Sequence, residues 1–313
     1  MILKKIKILR NKFKQYDIDG YIIPKNDEYF SEYAKNDRLK NITGFSGSAG
    51  FAVVLKKQNY LFVDGRYTIQ AHQQSSKNFK IIEIHKKLPH TIIKNFNLGY
   101  DPKLFTSKLL SKYFINNNLI SIDQNLIDQI FKINEKHTRP FYSLDKKIVG
   151  EAYGSKISKV VRFLKNKKAD YCFISAPENV AWLLNIRGYD NPNSPIANAR
   201  LILNQKKELF LIANENNLKN LLLEKKIKKK QILPIKSFPQ FIDNLKGKNF
   251  IIDNKTCSIF YEELIKSKFN ILKFEDPVYE LKSIKNSIEI KHMIEAHKKD
   301  GLALTRFIYW IKN

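Results

Sequence analysis

The stretch Thr43–Tyr67, TGFSGSAGFAVVLKKQNYLFVDGRY, decides how this chain is read. Its glycines Gly44, Gly47 and Gly50 fall at every third position, and glycine permits backbone conformations that a Cβ forbids. The spacing suggests a phosphate-cradling loop until the residues after it are read. A Walker loop needs GxxxxGK[ST] with a helix to follow, and a dinucleotide fingerprint also opens a helix. Here GFSGSAG lacks the lysine and leads into FAVVL, a KKQN turn and YLFV. That is a hairpin pattern. The glycines are thus a tight entry into a central strand, and the hairpin runs out into Asp64-Gly65-Arg66-Tyr67.

Working outward, the surroundings of this hairpin recur in the second half of the chain. A helical pattern and GYIIP in the first half match a helix striped by Ile157, Val160, Val161 and Leu164, then YCFIS. Each of those strands runs into a polar turn and a short helix, PKNDEYFSEY in the first half and APENVAWLLN in the second, and NITGFSGSAG matches NIRGYDNPNSPIANA. FAVVL and YLFV match RLILN and ELFLI as hairpins. Each half then has a helix, a strand (KIIEI, QILPI), a helix near a proline, a strand ending in Asp101 or Asp253, a further helix and a last strand (LISI, ILKF). Asp19 and Asp170 are 151 residues apart, and Asp101 and Asp253 are 152 apart, so one offset serves both pairs. Such a duplication predicts an α/β architecture of two copies of a module with about six strands, a mixed sheet under helical cover.

At 313 residues the chain has room for two domains with cores of their own. Its apolar runs are too short to cross a bilayer. MILKKIKILRNKFKQY lacks the features of a secretory signal, and Leu3, Ile6, Leu9 and Phe13 read as the buried stripe of a helix rather than a membrane-surface one. Cys172 and Cys257 form no CxxC pair, which points to a reducing cytoplasm. The net charge of +26 raises a nucleic-acid reading. However, 8 of the 56 basic residues are arginine and the lysines are spread over every segment, so a solvated lysine surface is expected instead.

No catalytic centre is visible in the residues themselves. His72, His85, His90, His137, His292 and His297 form no HExxH, and no nucleophile elbow occurs. Trp182 and Trp310 fall on apolar helical faces and read as core. Asp64 and Arg66 form a salt bridge in the plainest reading. Arg66 is also a candidate substrate-side group, because a planar cation at a strand end suits a peptide carbonyl or carboxylate. Asn286-Ser287-Ile288-Glu289 is a capping-box start to an amphipathic helix that belongs to neither repeat.

YIIPKNDEYFSEY, ITGFSGSAG, DGRY, NVAWLLNIRGYDNPNSP and VYELKSIKNSIEIKHMIEAHKKDGLALTRF occur in that order along the whole chain. With them the sequence resembles the Xaa-Pro aminopeptidases (aminopeptidase P) of the three-domain cytosolic type. The resemblance implies two tandem creatinase-N-terminal-like domains, residues 1–145 and 146–282, each a mixed six-stranded sheet flanked by helices. Residues 283–313 would then begin a pita-bread catalytic domain. It further implies removal of the N-terminal residue from peptides with proline at position 2. Two divalent metal ions, manganese by family usage, act there as Lewis acids and generators of a bridging hydroxide. The family's metal ligands (two Asp, one His, two Glu) all lie beyond the helix that starts at Asn286, so no catalytic or metal residue is carried over. The family's DGR arginine matches Arg66, carried over as a substrate-binding residue. A cytoplasmic location and a homodimer are also implied. The expectation is a chain truncated before the metal core and inactive alone. Two alternatives stay open: a non-catalytic binding module with a peptidase-like fold, as in a histone-chaperone subunit, and a lysine-rich nucleic-acid binder.

Overall fold

The computed structural model describes residues 2–34, 36–131 and 139–313. The chain divides into two compact units, one of residues 1–137 and 253–269, the other of residues 138–252 and 270–313. The first unit is built on β1 (Gly20–Pro24), β2 (Gly50–Leu55), β3 (Asn59–Val63), β4 (Lys80–Glu83), β5 (Asn97–Tyr100) and β6 (Asn118–Ser121). Their order in the sheet is β4-β3-β2-β1-β5-β6. The hairpin pairs β2 with β3 and β1 with β2 antiparallel, whereas β1–β5, β5–β6 and β3–β4 are parallel. Alternate residues of β1 and β2 serve opposite faces. Tyr21, Ile23, Ala52 and Val54 enter one buried cluster, and Ile22, Val53 and Leu55 enter the other. Period-two patterning of this kind gives the sheet two apolar faces, each covered by helices.

In the second unit, β7 (Tyr142–Ser143) pairs with β9 (Ile186–Arg187) as a ribbon. The main sheet contains β8 (Tyr171–Ile174), β10 (Arg200–Asn204), β11 (Leu209–Ile212), β12 (Asn249–Ile252) and β13 (Asn270–Lys273) in the order β11-β10-β8-β12-β13. This is the first sheet's order without a counterpart of β4. The segment QILPI, expected as a sixth strand, makes one isolated parallel bridge, Leu211 to Ile232. Pro234 has no N–H to continue a ladder there.

The repeat is visible atom by atom. Asp19 N–H donates to Asn97 O at 2.7 Å and Asp170 N–H donates to Asn249 O at 2.9 Å. The Asp19 carboxylate accepts from Asn97 N at 2.9 Å, and that of Asp170 accepts from Asn249 N at 2.9 Å and Lys248 N at 2.7 Å. Each aspartate thus grips the first residue of the parallel strand beside it. Lys56 Nζ donates to Asp19 at 2.6 Å and is the main cause holding that carboxyl below its ordinary value. Asp101 and Asp253 also act alike, accepting from Lys103 N at 2.9 Å and Lys255 N at 2.8 Å to turn the chain after β5 and β12.

Elsewhere the two halves depart from the sequence expectation. PKNDEYFSEY is not helical. Asp27 Oδ1 accepts from Tyr29 N at 2.9 Å and Ser31 N at 3.0 Å, a local turn that competes with a helix. The helix comes later, at Arg38–Thr43, and ends on Gly44 with φ +85°. The matching turn in the second unit falls on Asn185, φ 53°, after the helix Pro177–Leu184. Gly188 serves close approach instead, since a Cβ there would lie 2.9 Å from Ala197 Cα. NITG and NIRG are therefore alike in letters but not in geometry. In the helix Ile2–Asn11, Ile6 and Leu9 are buried while Leu3 is 67% exposed. Phe13 is buried on the 3-10 turn that follows.

Replacing Asp170 by Ala leaves two backbone N–H groups at the start of β12 without their acceptor. Chemical denaturation is expected to show a loss of about 1–3 kcal/mol; a change under a few tenths would mean that β12 is positioned by its side-chain packing alone.

Candidate functional site

The hairpin's end in the first unit is compact and solvent-facing. Asp64 caps the 3-10 turn Gly65–Tyr67, accepting from Arg66 N at 3.0 Å and Arg66 Nε at 2.8 Å. The Arg66 side chain is 73% exposed, and its guanidinium carbon stands 5.6 Å from the Tyr67 ring centroid. That contact with Arg66 lowers the Asp64 carboxyl below its ordinary value, and Asp64 in turn raises Arg66. Tyr67 ties this turn to the glycine-rich entry: its OH lies 2.7 Å from Ser48 Oγ, and its ring meets Phe45 edge-on at 6.0 Å. Gly47 is needed beside it, because a Cβ would lie 2.2 Å from the Phe45 ring. GFSGSAG and DGRY, separated by a hairpin in sequence, are one structural unit.

The second unit holds a cavity of about 410 Å³. Leu144, Ile148, Val149, Trp182 and Met293 give it apolar walls, and Lys156, Arg187, Lys282, Lys285, Glu289 and His292 bring charge or polarity to it. Lys156 sits on the helix Tyr153–Asn166, one turn before the buried Val160. It is fully buried. Its Nζ donates to Asn185 Oδ1 at 2.7 Å and Trp182 O at 3.0 Å, and lies 3.7 Å from the Trp182 ring centroid. Burial outweighs the attraction of Glu289 and Glu151 and pushes the amine down to about 8. Arg187 is lowered from its ordinary value by burial as well, and donates to Ala181 O at 3.2 Å and Ile186 O at 2.9 Å. Glu289 is engaged on both oxygens, by Trp182 Nε1 at 3.1 Å and Asn286 N at 3.0 Å.

The structure places the other candidates apart. His292 and His297 are exposed on the helix Ser287–Lys312, His85 stands 3.3 Å from Glu83, and His137 lies outside the described residues. Trp182 is half-buried, whereas Trp310, expected in a core, is 73% exposed. Among the described residues no group of three or more His, Cys, Asp or Glu side chains is arranged to hold a metal ion. No helix of the described residues is long and apolar enough to cross a membrane. Both cysteines are buried. The cavity was not legible from motifs. Its one sequence signal is a lysine in register with an apolar stripe: Lys156 precedes Val160 by four residues, the spacing of one helical face.

Two matches to the creatinase/prolidase N-terminal domain cover residues 5–130 and 133–289. The chain belongs to this family. Its relatives include Xaa-Pro aminopeptidase 1 of Dictyostelium discoideum, 31% identical over 99% of this chain and 53% of that protein. A probable Xaa-Pro aminopeptidase P of Laccaria bicolor is 28% identical over 97% of this chain and 50% of that one. The chain spans about half the length of the curated relatives it matches. Among solved structures, X-prolyl aminopeptidase from Caenorhabditis elegans, described as a cytosolic enzyme with a di-nuclear active site, superposes with a TM-score of 0.86. It is 25% identical, over 100% of this chain and 56% of that chain. The duplicated mixed sheets and the creatinase-type domains are one and the same plan.

Because Lys156 is buried and its amine lowered to about 8, it opposes folding while charged. The unfolded chain holds this proton up to the ordinary lysine value and the folded chain does not, so stability rises with pH across the interval between them. Denaturation of the natural chain and of Lys156→Met, repeated from pH 7 to pH 10 (about the span over which lysines respond), should show the natural chain gaining on the variant. A gap that stays constant with pH would show that Lys156 titrates normally.

Proposed function

We propose that this chain is the N-terminal, two-domain portion of an Xaa-Pro aminopeptidase that acts on peptides with proline at position 2. The observation that carries the reading is similarity along 97–100% of the chain to proteins of that name, combined with coverage of about half of each. The domains are residues 1–145 and 146–282, with residues 283–313 leading into the catalytic domain. A location in the cytoplasm and assembly as a homodimer belong to the same reading.

The described residues do not fit a dinuclear metal centre, since they offer no three-ligand group. The histidines of the long helix are five positions apart, on different faces. In this reading the metals, manganese by family usage, are held by the catalytic domain, and this chain alone is inactive. Arg66 is its contribution to the substrate side. Its solvent-facing guanidinium, held by Asp64 at 2.8 Å, keeps N–H groups for a peptide carbonyl or carboxylate.

Residues 1–313 mixed with manganese and a tripeptide bearing proline second should give no turnover above the blank. Turnover abolished by a chelator would overturn the claim of inactivity. Fused to the remaining half of the Dictyostelium discoideum relative, the chain should hydrolyse the same peptide. In that fusion Arg66→Ala should raise KM about tenfold with kcat little changed, the loss of about 1.4 kcal/mol of binding. An unchanged KM would reduce Arg66 to its salt bridge.

A further inference from the structure

The cavity of the second unit carries an excess of positive charge. Four cations line it, Lys156, Arg187, Lys282 and Lys285, against one carboxylate, Glu289. Glu289 is already engaged by an indole N–H and a backbone N–H. Lys156, with no exposed surface, has a carbonyl and an amide oxygen as its partners, and no carboxylate among the described residues lies within ion-pair distance. Arg187 spends one nitrogen on two backbone carbonyls, and its other N–H groups find no acceptor among the described residues. Lys156 meets its burial with two oxygens and an indole ring. The half-buried guanidinium of Arg187, by contrast, keeps N–H groups without an acceptor among the described residues at the cavity, and a partly desolvated cation gains from a counter-charge and from full hydrogen bonding. An anion entering the cavity would supply both.

The shape says what else the anion carries. A volume of about 410 Å³ lies within the range of small-molecule sites, about 300–1,000 Å³, far more than one carboxylate fills. Ile148, Met293 and the Trp182 ring face the remainder. A phosphate would set most of its oxygens against hydrocarbon. We propose that this cavity binds a monocarboxylate with an apolar body, the carboxylate on the open N–H groups of Arg187 and the body against Trp182, Ile148 and Met293. Arg187 supplies the planar fork, and the buried Lys156 ammonium adds positive charge without contact. The carboxylate can belong to a free acid or to the C-terminus of a peptide.

Trp182 is the reporter. The chain has two tryptophans, so Trp310→Phe, on the exposed helix face, leaves its emission alone. Titration with 3-phenylpropionate represents the free acid and N-acetylphenylalanine the peptide C-terminus, with the tighter of the two identifying the source. At least one should shift Trp182 emission saturably, and its amide should bind about tenfold more weakly or worse. Arg187→Gln should weaken the acid by about tenfold while leaving the melting temperature near that of the parent. Equal binding of acid and amide would make the cavity merely apolar and overturn the proposal. So would an emission that neither acid changes, or an affinity that Arg187→Gln leaves intact.

Discussion

Both sheets depend on one constraint, the parallel pairing of β1 with β5 and of β8 with β12. An antiparallel neighbour is reached by a short hairpin whose turn sets the register, whereas a parallel neighbour requires a long crossover. Here the crossovers run from Pro24 to Asn97 and from Ile174 to Asn249, and closing loops of that length opposes folding. Asp19 and Asp170 meet the difficulty at the strand starts. Each donates its own N–H to the first residue of the parallel partner and accepts that residue's N–H on its carboxylate. The outer strands then add to a register already fixed.

That constraint explains which parts of the fold could be read from the sequence. The hairpins, the central strands and the two aspartate pairs are local or strongly patterned, and all stand where their residues indicated. QILPI has the pattern of a strand but carries Pro234, and it reaches β11 through one bridge. PKNDEYFSEY has helix-forming residues, yet the Asp27 side chain captures the backbone first. NITG and NIRG show the limit of letter matching, because the left-handed residue is Gly44 in one and Asn185 in the other.

The two sites were unequally legible. DGRY stood out as a strand end with a planar cation, and its salt bridge is the plain outcome of residues two apart. The cavity is formed by side chains from Leu144 to Ala296, a span over which no motif operates. Lys156 is the instructive residue. Lysine is ordinarily a surface group, and most helices of this chain carry one, so one on an apolar stripe is lost among the rest. Its departure shows in three dimensions, where an indole and two oxygens surround an ammonium shut off from water.

The helix Ile259–Lys266 lies between β12 and β13 of the second unit in sequence but belongs to the first unit. Its Ile259 enters the core with Phe105 and Leu110, and its Glu262 accepts from Ser107 Oγ at 2.7 Å. On the ribosome, therefore, the first unit cannot be finished when its own sheet has emerged. It waits for residue 269, a delay on the order of ten seconds at ordinary synthesis rates. During that interval the face with Phe105 and Leu110 is open to chaperones, and a stop anywhere between the two units releases an unfinished surface rather than an independent domain.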